Sequence, residues 1–146
     1  MIRRAEPSDV DTVAALLSAF RDWWGSTTPT DETFRSTAER LLVDPNTEFL
    51  LAGESGLAQL RFRLSAWTGV EDCWLEDLYV RDSARGTGLG KALVEASFER
   101  ANARGCRRIE LDVNETNTSA IGLYTSLGFL VEPKPPGRTL FLGKKL

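Results

Sequence analysis

The stretch from residue 73 to residue 113 constrains the fold most, because its pattern predicts a strand, a glycine-rich turn, a helix and a second strand. Residues 73–80 form an apolar β segment, and residues 88–104 repeat apolar side chains at helical spacing. Residues 107–113 then alternate between apolar and polar side chains. Two strands joined by a helix usually pair in parallel through a right-handed crossover. The sequence therefore predicts a βαβ unit within a sheet.

The flanking sequence adds two helices before this unit and further strands on both sides. A hairpin turn at 53–56 predicts that much of the sheet is antiparallel. We therefore predict a mixed α/β (α+β) fold, with a mostly antiparallel sheet and flanking helices. The predicted order is β-α-α-β-β-β-α-β-α-β-β, with strands at 2–5, 49–52, 57–65, 73–80, 107–113, 129–132 and 139–142, and helices at 9–24, 31–42, 88–104 and 118–127.

Length and residue counts narrow the domain organisation and the chemistry. A chain of 146 residues predicts a single domain over 1–146. The sequence has no histidine, which excludes histidine-based catalysis and histidine-ligated metals. Cys73 and Cys106 are too far apart in sequence for a CxxC motif, so we predict structural cysteines and no metal site.

The net charge and the hydropathy of the chain limit the classes of partner that we expect it to bind. A net charge of −3 gives no reason to expect nucleic acid binding. No apolar run approaches the roughly 18 residues of a membrane span, so we predict a cytoplasmic protein without a membrane partner. Residues 1–80 hold 14 acids and 7 bases, whereas residues 81–146 hold 7 acids and 11 bases. This asymmetry is either solvated surface charge or a sign that the two halves face ligands of opposite charge.

The glycine-rich turn has the sequence Arg85-Gly86-Thr87-Gly88-Leu89-Gly90-Lys91. Glycines allow backbone N–H groups to approach a ligand closely, and a helix N-terminus favours a phosphate. The turn does not match a Walker A motif, which requires Gly at position 85 and Ser or Thr at position 92, because these positions are Arg and Ala. The turn also does not match a GxGxxG dinucleotide-binding motif, which requires Gly at position 91, because this position is Lys. The spacing that remains is Arg-x-x-Gly-x-Gly, and the alternative is a loop that only turns the chain.

Three motifs together resemble the GCN5-related N-acetyltransferase (GNAT) family. They are Leu78-Tyr79-Val80 with the glycine-rich loop, then Asn117, then Tyr124 with Gly128-Phe129. The resemblance covers residues 73–130 by motif and the whole chain by element order. It implies an acyl-CoA N-acyltransferase fold, in which the central parallel strands 73–80 and 107–113 splay apart.

The resemblance also implies how acetyl-CoA would bind. The backbone of residues 86–91 would hold its pyrophosphate, with Arg85 at the entry to the loop. Leu78, Tyr79 and Val80 would pair with the pantetheine arm as an added strand would. Asn117 would bond a pantetheine amide, and Tyr124 would donate a proton to the leaving thiolate. A packing role is the alternative for Tyr124.

The acceptor amine must lose a proton before it attacks, at a cost of about 4–5 kcal/mol at pH 7. Without histidine, the base must be a carboxylate acting directly or through water. Glu76 lies in a strand similar to that of polyamine and thialysine acetyltransferases, as an acceptor ligand or base. Asp112 lies where ribosomal-protein-alanine acetyltransferases place a glutamate. Strand alternation predicts that Asp77 points to the opposite face from Glu76.

Three tryptophans in the acidic half are candidate acceptor-binding residues. Trp23, Trp24 and Trp67 could line a substrate pocket or stack on a cation. Packing in the core or at an edge is the alternative for each.

The sequence thus predicts an acetyl-CoA-dependent N-acetyltransferase that acts on a small cationic amine by direct transfer. The alternatives are a non-catalytic acyl-CoA sensor or interaction module, an acetyltransferase of protein N-termini, and a nucleotide-binding regulator. The sequence leaves a homodimer open.

Overall fold

A computed structural model describes residues 1–130, 137 and 140–146, and its described strands form a five-stranded sheet of order β1-β2-β3-β4-β5. Neighbouring strands are antiparallel, except for β4 and β5, which are parallel. This arrangement confirms the predicted mixed sheet. The strands are β1 (Arg3–Arg4), β2 (Thr47–Ala52), β3 (Gly56–Leu64), β4 (Glu71–Val80) and β5 (Ile109–Glu110).

Four α-helices fall where the sequence predicts them. They are α1 (Val10–Trp24), α2 (Asp31–Leu42), α3 (Leu89–Ala103) and α4 (Thr118–Ser126). The Thr30 side chain accepts a hydrogen bond from the Thr33 backbone and so caps α2, as its residue type favours. No helix in the described part of the chain is long and apolar enough to cross a membrane.

The chain divides into two compact units, Met1–Asp112 and Val113–Leu146. The first unit holds the whole described sheet with α1, α2 and α3, and the second holds α4. The two strands predicted last, at 129–132 and 139–142, include residues 131, 132 and 139, which lie outside the described residues. The described parts of those segments are not in strands.

Both faces of the sheet are covered. On one face, Phe49, Leu51 and Leu57 form a core with Val13 and Leu16 of α1 and with α2. On the other face, α3 packs against β2, β3 and β4. Because both faces are covered, all six residues of β2 are buried instead of alternating with solvent.

The two edges of β4 are paired unequally. On one side, β3 pairs with β4 from Glu71 to Val80. On the other side, β5 pairs only with Cys73 and Trp74. From Leu75 to Val80 this edge has no strand partner among the described residues, and we call it the open edge of β4. The predicted strand over 107–113 is therefore shortened to two residues, and the predicted splay of the parallel pair begins after Trp74.

Candidate active site

The glycine-rich loop provides an uncovered bend directly before α3. Gly86 and Gly88 have φ of 74° and 86°, values that side-chain-bearing residues rarely adopt. A Cβ added at either glycine would meet no atom within 4 Å. The two glycines therefore allow the left-handed backbone conformation of the loop, and they leave open space above it.

The backbone donors of this loop are available to a ligand. Among the described residues, the N–H groups of 86–91 have no hydrogen-bond partner. The first N–H groups of a helix lack intrahelical partners and attract anions. These donors, with the open space above Gly86 and Gly88, are suited to an anion such as a phosphate. The binding of a CoA pyrophosphate there stays a prediction.

Arg85 is held in place at the entry to the loop. Its Nε donates to the Val80 carbonyl at 3.0 Å, and its Nη1 lies 3.2 Å from Asp82 Oδ1. Its guanidinium carbon also lies 4.6 Å from the centroid of a Trp23 ring. Arg85 thus joins the end of β4 to α1 while 40% of its side chain stays exposed.

A β-bulge in β4 brings two carboxylates to one face of the sheet. Gln59 pairs with Asp77 whereas Leu60 pairs with Leu75, so Glu76 is an extra residue on β4. Glu76 contacts Arg61 at 3.4 Å. Arg61 and Gln59 are two residues apart on β3 and share a face, so Glu76 and Asp77 also share it. The prediction that Asp77 points away from Glu76 is therefore wrong, because the bulge interrupts the alternation.

Asp77 is the carboxylate with the most unusual environment. Burial, together with the negative charges of Glu76 and Asp112, raises the pKa of Asp77 to about 6. Its carboxylate has no hydrogen bond or ion pair within the described part of the chain. Sequence reasoning did not assign Asp77 to the site, since no signal in the sequence marks the bulge.

The other two candidate carboxylates lie beside Asp77. Glu76 is 42% exposed and pairs with Arg61, which is equally exposed. Asp112 follows β5 by two residues and acts on Asp77 through its charge. We call these three residues the open-edge acids: Glu76, Asp77 and Asp112.

A second acidic group belongs to the framework. These paired acids are Glu48, Glu71 and Asp72. Glu48 is buried and accepts two hydrogen bonds from Arg100, at 2.7 and 2.8 Å. Glu71 accepts from Arg104 at 2.8 and 3.0 Å.

Asp72 is also buried and lies 3.6 Å from each of two arginines, Arg107 and Arg108. These four arginines come from the basic half of the sequence, whereas Arg4, which lies 3.6 Å from Glu48, comes from the acidic half. Part of the charge asymmetry is thus taken up by ion pairs between the two halves.

The tryptophans differ in their surroundings. Trp23 lies between Phe20 and Trp24, at centroid distances of 6.0 and 5.6 Å, and beneath Arg85. Trp24 is 53% exposed, and Trp67, on the β3–β4 connection, is 98% exposed. The acceptor-binding role of all three stays a prediction.

In the second unit, Asn117 and Tyr124 lie at the start and in the last turns of α4. The Asn117 Oδ1 accepts from the Ala120 backbone at 3.4 Å and caps the helix. In the predicted bond to a pantetheine amide, Asn117 would therefore use its Nδ2 donor. Tyr124 is buried and meets Phe129 edge to face at 5.6 Å.

The cysteines are poor nucleophiles. Burial raises the pKa of the Cys73 thiol to about 12 and also raises that of Cys106. Thiols with raised pKa values are protonated at neutral pH and react slowly. This environment supports direct transfer without a cysteine acyl-enzyme.

The sequence matches the Acetyltransferase (GNAT) family over residues 12–129. This match covers most of the chain, so the chain belongs to the GNAT family. The crystal structure of a "putative acetyltransferase" from Arthrobacter sp. FB24 is 36% identical and superposes with a TM-score of 0.88, covering 100% of this chain and 96% of that one.

Curated relatives match shorter segments. The thialysine N-epsilon-acetyltransferase of Sus scrofa is 39% identical over 67 residues, which is 46% of this chain and 39% of that protein. The L-methionine sulfoximine/L-methionine sulfone acetyltransferase of Pseudomonas aeruginosa is 41% identical over 59 residues, 40% of this chain and 34% of that protein. The matched segments thus span about two fifths or less of these relatives.

Proposed function

We propose that this chain transfers the acetyl group of acetyl-CoA to the primary amine of a small cationic acceptor by direct attack in a ternary complex. The observation that carries this proposal is the open edge of β4. Strand pairing with β5 ends at Trp74, and the edge beyond it carries Asp77, whose carboxylate has no partner among the described residues. Such an edge supplies both an unpaired backbone for an amide-containing arm and a base for the attacking amine.

The cofactor-binding roles follow from the loop and the strand. The N–H groups of residues 86–91 hold the pyrophosphate, with Arg85 beside them, and residues 78–80 pair with the pantetheine arm. Acetyl-CoA supplies the activated acetyl group as a thioester. Holding two reactants in the attacking geometry lowers the barrier by as much as about 7–11 kcal/mol. The loop and the strand edge therefore contribute more than any single titrating side chain.

Asp77 is the proposed base. Its raised pKa makes it a stronger base than an ordinary aspartate while leaving it ionised at pH 7. It removes the ammonium proton directly or through one water. Asp112 supports this role through its charge, and Glu76 binds the cationic acceptor.

Tyr124 and Asn117 take their proposed roles from the family resemblance. Tyr124 donates a proton to the leaving thiolate, and the Asn117 Nδ2 donates to a pantetheine carbonyl. Loss of a general acid costs roughly 10²–10⁴-fold in rate. Tyr124→Phe should therefore lower kcat and leave the affinity for CoA nearly unchanged. Equal kcat values for Tyr124→Phe and the native protein would show that Tyr124 is not the proton donor and has a packing role.

The acceptor class follows from the open-edge acids. Three carboxylates with one arginine favour an acceptor that carries more than one positive charge. The thialysine and L-methionine sulfoximine relatives support a free amino compound of amino-acid size. A protein N-terminus, with a pKa near 7.7–8.0, needs less help from a base.

A CoA-thiol release assay across an amine panel tests the proposal. The panel holds thialysine and lysine, polyamines, aminoglycosides, L-methionine sulfone and a peptide with a free N-terminus. We expect the best acceptor to be a small cationic amine, with kcat/KM falling as salt rises. Release with none of these amines, despite tight CoA binding, would favour an acyl-CoA sensor.

Binding of CoA is tested separately by calorimetry. Gly90 lies in the first turn of α3 without a positive φ, so Gly90→Glu adds a carboxylate to the loop without backbone strain. This variant should lose CoA binding. Ala103→Glu, at the exposed far end of α3, is the matched control and should bind CoA normally. Equal binding by both variants would refute the assigned pyrophosphate site.

A further inference from the structure

Four aromatic rings form a continuous row from α1 to β4. Trp24, Trp23 and Phe20 follow one another on the last turns of α1. Phe20 then stacks on Tyr79 of β4, with centroids 5.3 Å apart and planes 19° from parallel. The row therefore ends on the open edge of β4, one residue before its last residue.

The same row also contacts the glycine-rich loop. The Arg85 guanidinium lies over Trp23, and its Nε holds the Val80 carbonyl. A guanidinium stacked on an indole keeps its planar set of donors in one orientation. Phe20 thus contacts the strand that would receive the pantetheine arm, and Trp23 contacts the arginine beside the pyrophosphate donors.

We infer that Trp23 is a positioning residue for the CoA pyrophosphate, and that it acts by holding Arg85 flat at the entry to the glycine-rich loop. This inference rests on the proposed function, because it needs CoA to bind at that loop. It gives Trp23 a role on the cofactor side of the site in place of stacking on the acceptor. Trp23 itself does not touch the reacting atoms.

The charge balance around Arg85 makes this support necessary. Asp82, at 3.2 Å, is an acid that competes with a phosphate for the same guanidinium. The indole face attracts the cation without neutralising it or occupying its hydrogen-bond donors. While Arg85 stacks on Trp23, it therefore keeps hydrogen-bond donors for an anion. Without Trp23, the Arg85 guanidinium is free to form a closer ion pair with Asp82.

The test compares two acyl donors. S-Acetylpantetheine carries the same thioester and pantetheine arm as acetyl-CoA but has no pyrophosphate. Cation–π contacts correspond to about 3–30-fold in binding, so Trp23→Leu should raise the KM for acetyl-CoA by that factor. Its KM for S-acetylpantetheine and its kcat should stay within about twofold, because uniform binding is lost and the chemistry is not. Trp23→Phe keeps a ring under Arg85 and should restore most of the affinity.

Phe34→Leu provides the matched control. The Phe34 ring lies beneath a different arginine, Arg21, at 5.8 Å, between α1 and α2. This variant loses an aromatic ring under an arginine away from the glycine-rich loop. It should leave the KM for acetyl-CoA unchanged. Comparison of its melting temperature with that of Trp23→Leu shows how much stability each variant loses with its aromatic ring.

A double-mutant cycle keeps the inference testable if Trp23→Leu folds poorly. Arg85→Lys retains the charge but loses the planar contact. Its effect on acetyl-CoA affinity should be large in the native protein and nearly absent in Trp23→Leu, or reduced in Trp23→Phe. Additive effects would overturn the inference, as would an unchanged KM for acetyl-CoA in Trp23→Leu. An equal rise in KM for both donors would show a general structural role and would also overturn it.

The two proposals fail in different ways. If the native protein binds CoA but releases no thiol with any amine, Kd values from calorimetry replace KM values and the inference is tested alone. If the native protein binds no CoA, the proposed function fails and the role of Trp23 fails with it.

Discussion

The two ends of β4 carry acidic residues in contrasting environments. At its start, Glu71 and Asp72 contact Arg104, Arg107 and Arg108, and the third paired acid, Glu48 of β2, contacts Arg100, Arg104 and Arg4. Beyond Trp74, Glu76 is the one open-edge acid that contacts an arginine among the described residues, the exposed Arg61. Residues of the same types therefore stabilise the framework at one end and leave uncompensated negative charge at the other. The difference shows that residue type alone does not distinguish a structural carboxylate from a functional one.

The geometry of the βαβ unit explains this contrast. The last turns of α3 bring Arg100 and Arg104 over the closed end of the sheet, where β4 and β5 are still paired. The first turn of α3 instead follows the glycine-rich loop and carries uncapped N–H groups. One end of the unit thus neutralises carboxylates, and the other end is suited to bind ligands.

Replacing Asp77 should have the largest effect on activity. Asp77→Asn should lower kcat by about 10²–10⁴-fold, because it removes the base, and should leave CoA affinity unchanged. In the native protein the rate should fall as pH drops below about 6, where Asp77 becomes protonated. Steady-state kinetics from pH 5 to 9 measure both effects.

Asp72→Asn is the control for this experiment, since it makes the same chemical change at the paired end of the same strand. Its kcat should match that of the native protein. If Asp77→Asn keeps native kcat and the native pH profile, Asp77 is not the base.

Replacing Glu48 should lower stability and leave kcat unchanged, in contrast to replacing Asp77. Breaking a buried, bidentate ion pair leaves Arg100 without its partner and costs about 3–5 kcal/mol. Glu48→Gln should therefore lower the free energy of unfolding by that amount, measured by urea denaturation, while kcat per folded molecule stays native. A Glu48→Gln protein of native stability would show that the paired acids do not hold the framework.

Asp77 should also affect stability, with the opposite sign from Glu48. Its pKa is raised on folding, so the folded state binds the proton more tightly and the ionised form is penalised above about pH 6. Asp77→Asn removes that penalty and should stabilise the protein by about 1–3 kcal/mol at pH 7.5.

The gain should shrink as pH falls through 6 and vanish below about 4, where the native Asp77 is protonated in both states. Urea denaturation at pH 4, 6 and 7.5 measures this trend. A gain that is the same at all three pH values would exclude ionisation of Asp77 as its cause.

The smallest effect is expected at Glu76, which is partly exposed and already paired. Exposed ion pairs contribute about 0–1 kcal/mol, so Glu76→Gln should raise the KM for a cationic acceptor by about 2–5-fold and weaken the salt dependence of kcat/KM. Arg61→Gln frees Glu76 and should lower the same KM. Changes of the same sign in both variants would contradict acceptor binding by Glu76.

Much of the fold was predictable because its signals are local. Helical spacing and caps placed α1 to α4, alternation placed β3, and apolar segments beside turns placed β2 and β4. The glycine-rich loop was predictable for the same reason, since positive φ and a helix start depend on adjacent residues. The length of β5 was not predictable, because pairing stops where its neighbour turns away.

The sequence by itself determined the order of the elements from β1 to α4, the glycine-rich loop before α3 and, through motif resemblance, the family. Tertiary structure alone decided which carboxylates are neutralised and which are not. Glu71 and Asp72 resemble Glu76 and Asp77 in sequence, as two acidic pairs in one strand. A bulge turned the second pair to a common face, and four arginines distant in sequence contact the paired acids but none of the open-edge acids. Charge pairing and bulges depend on contacts between distant segments, so no local pattern in the sequence reports them.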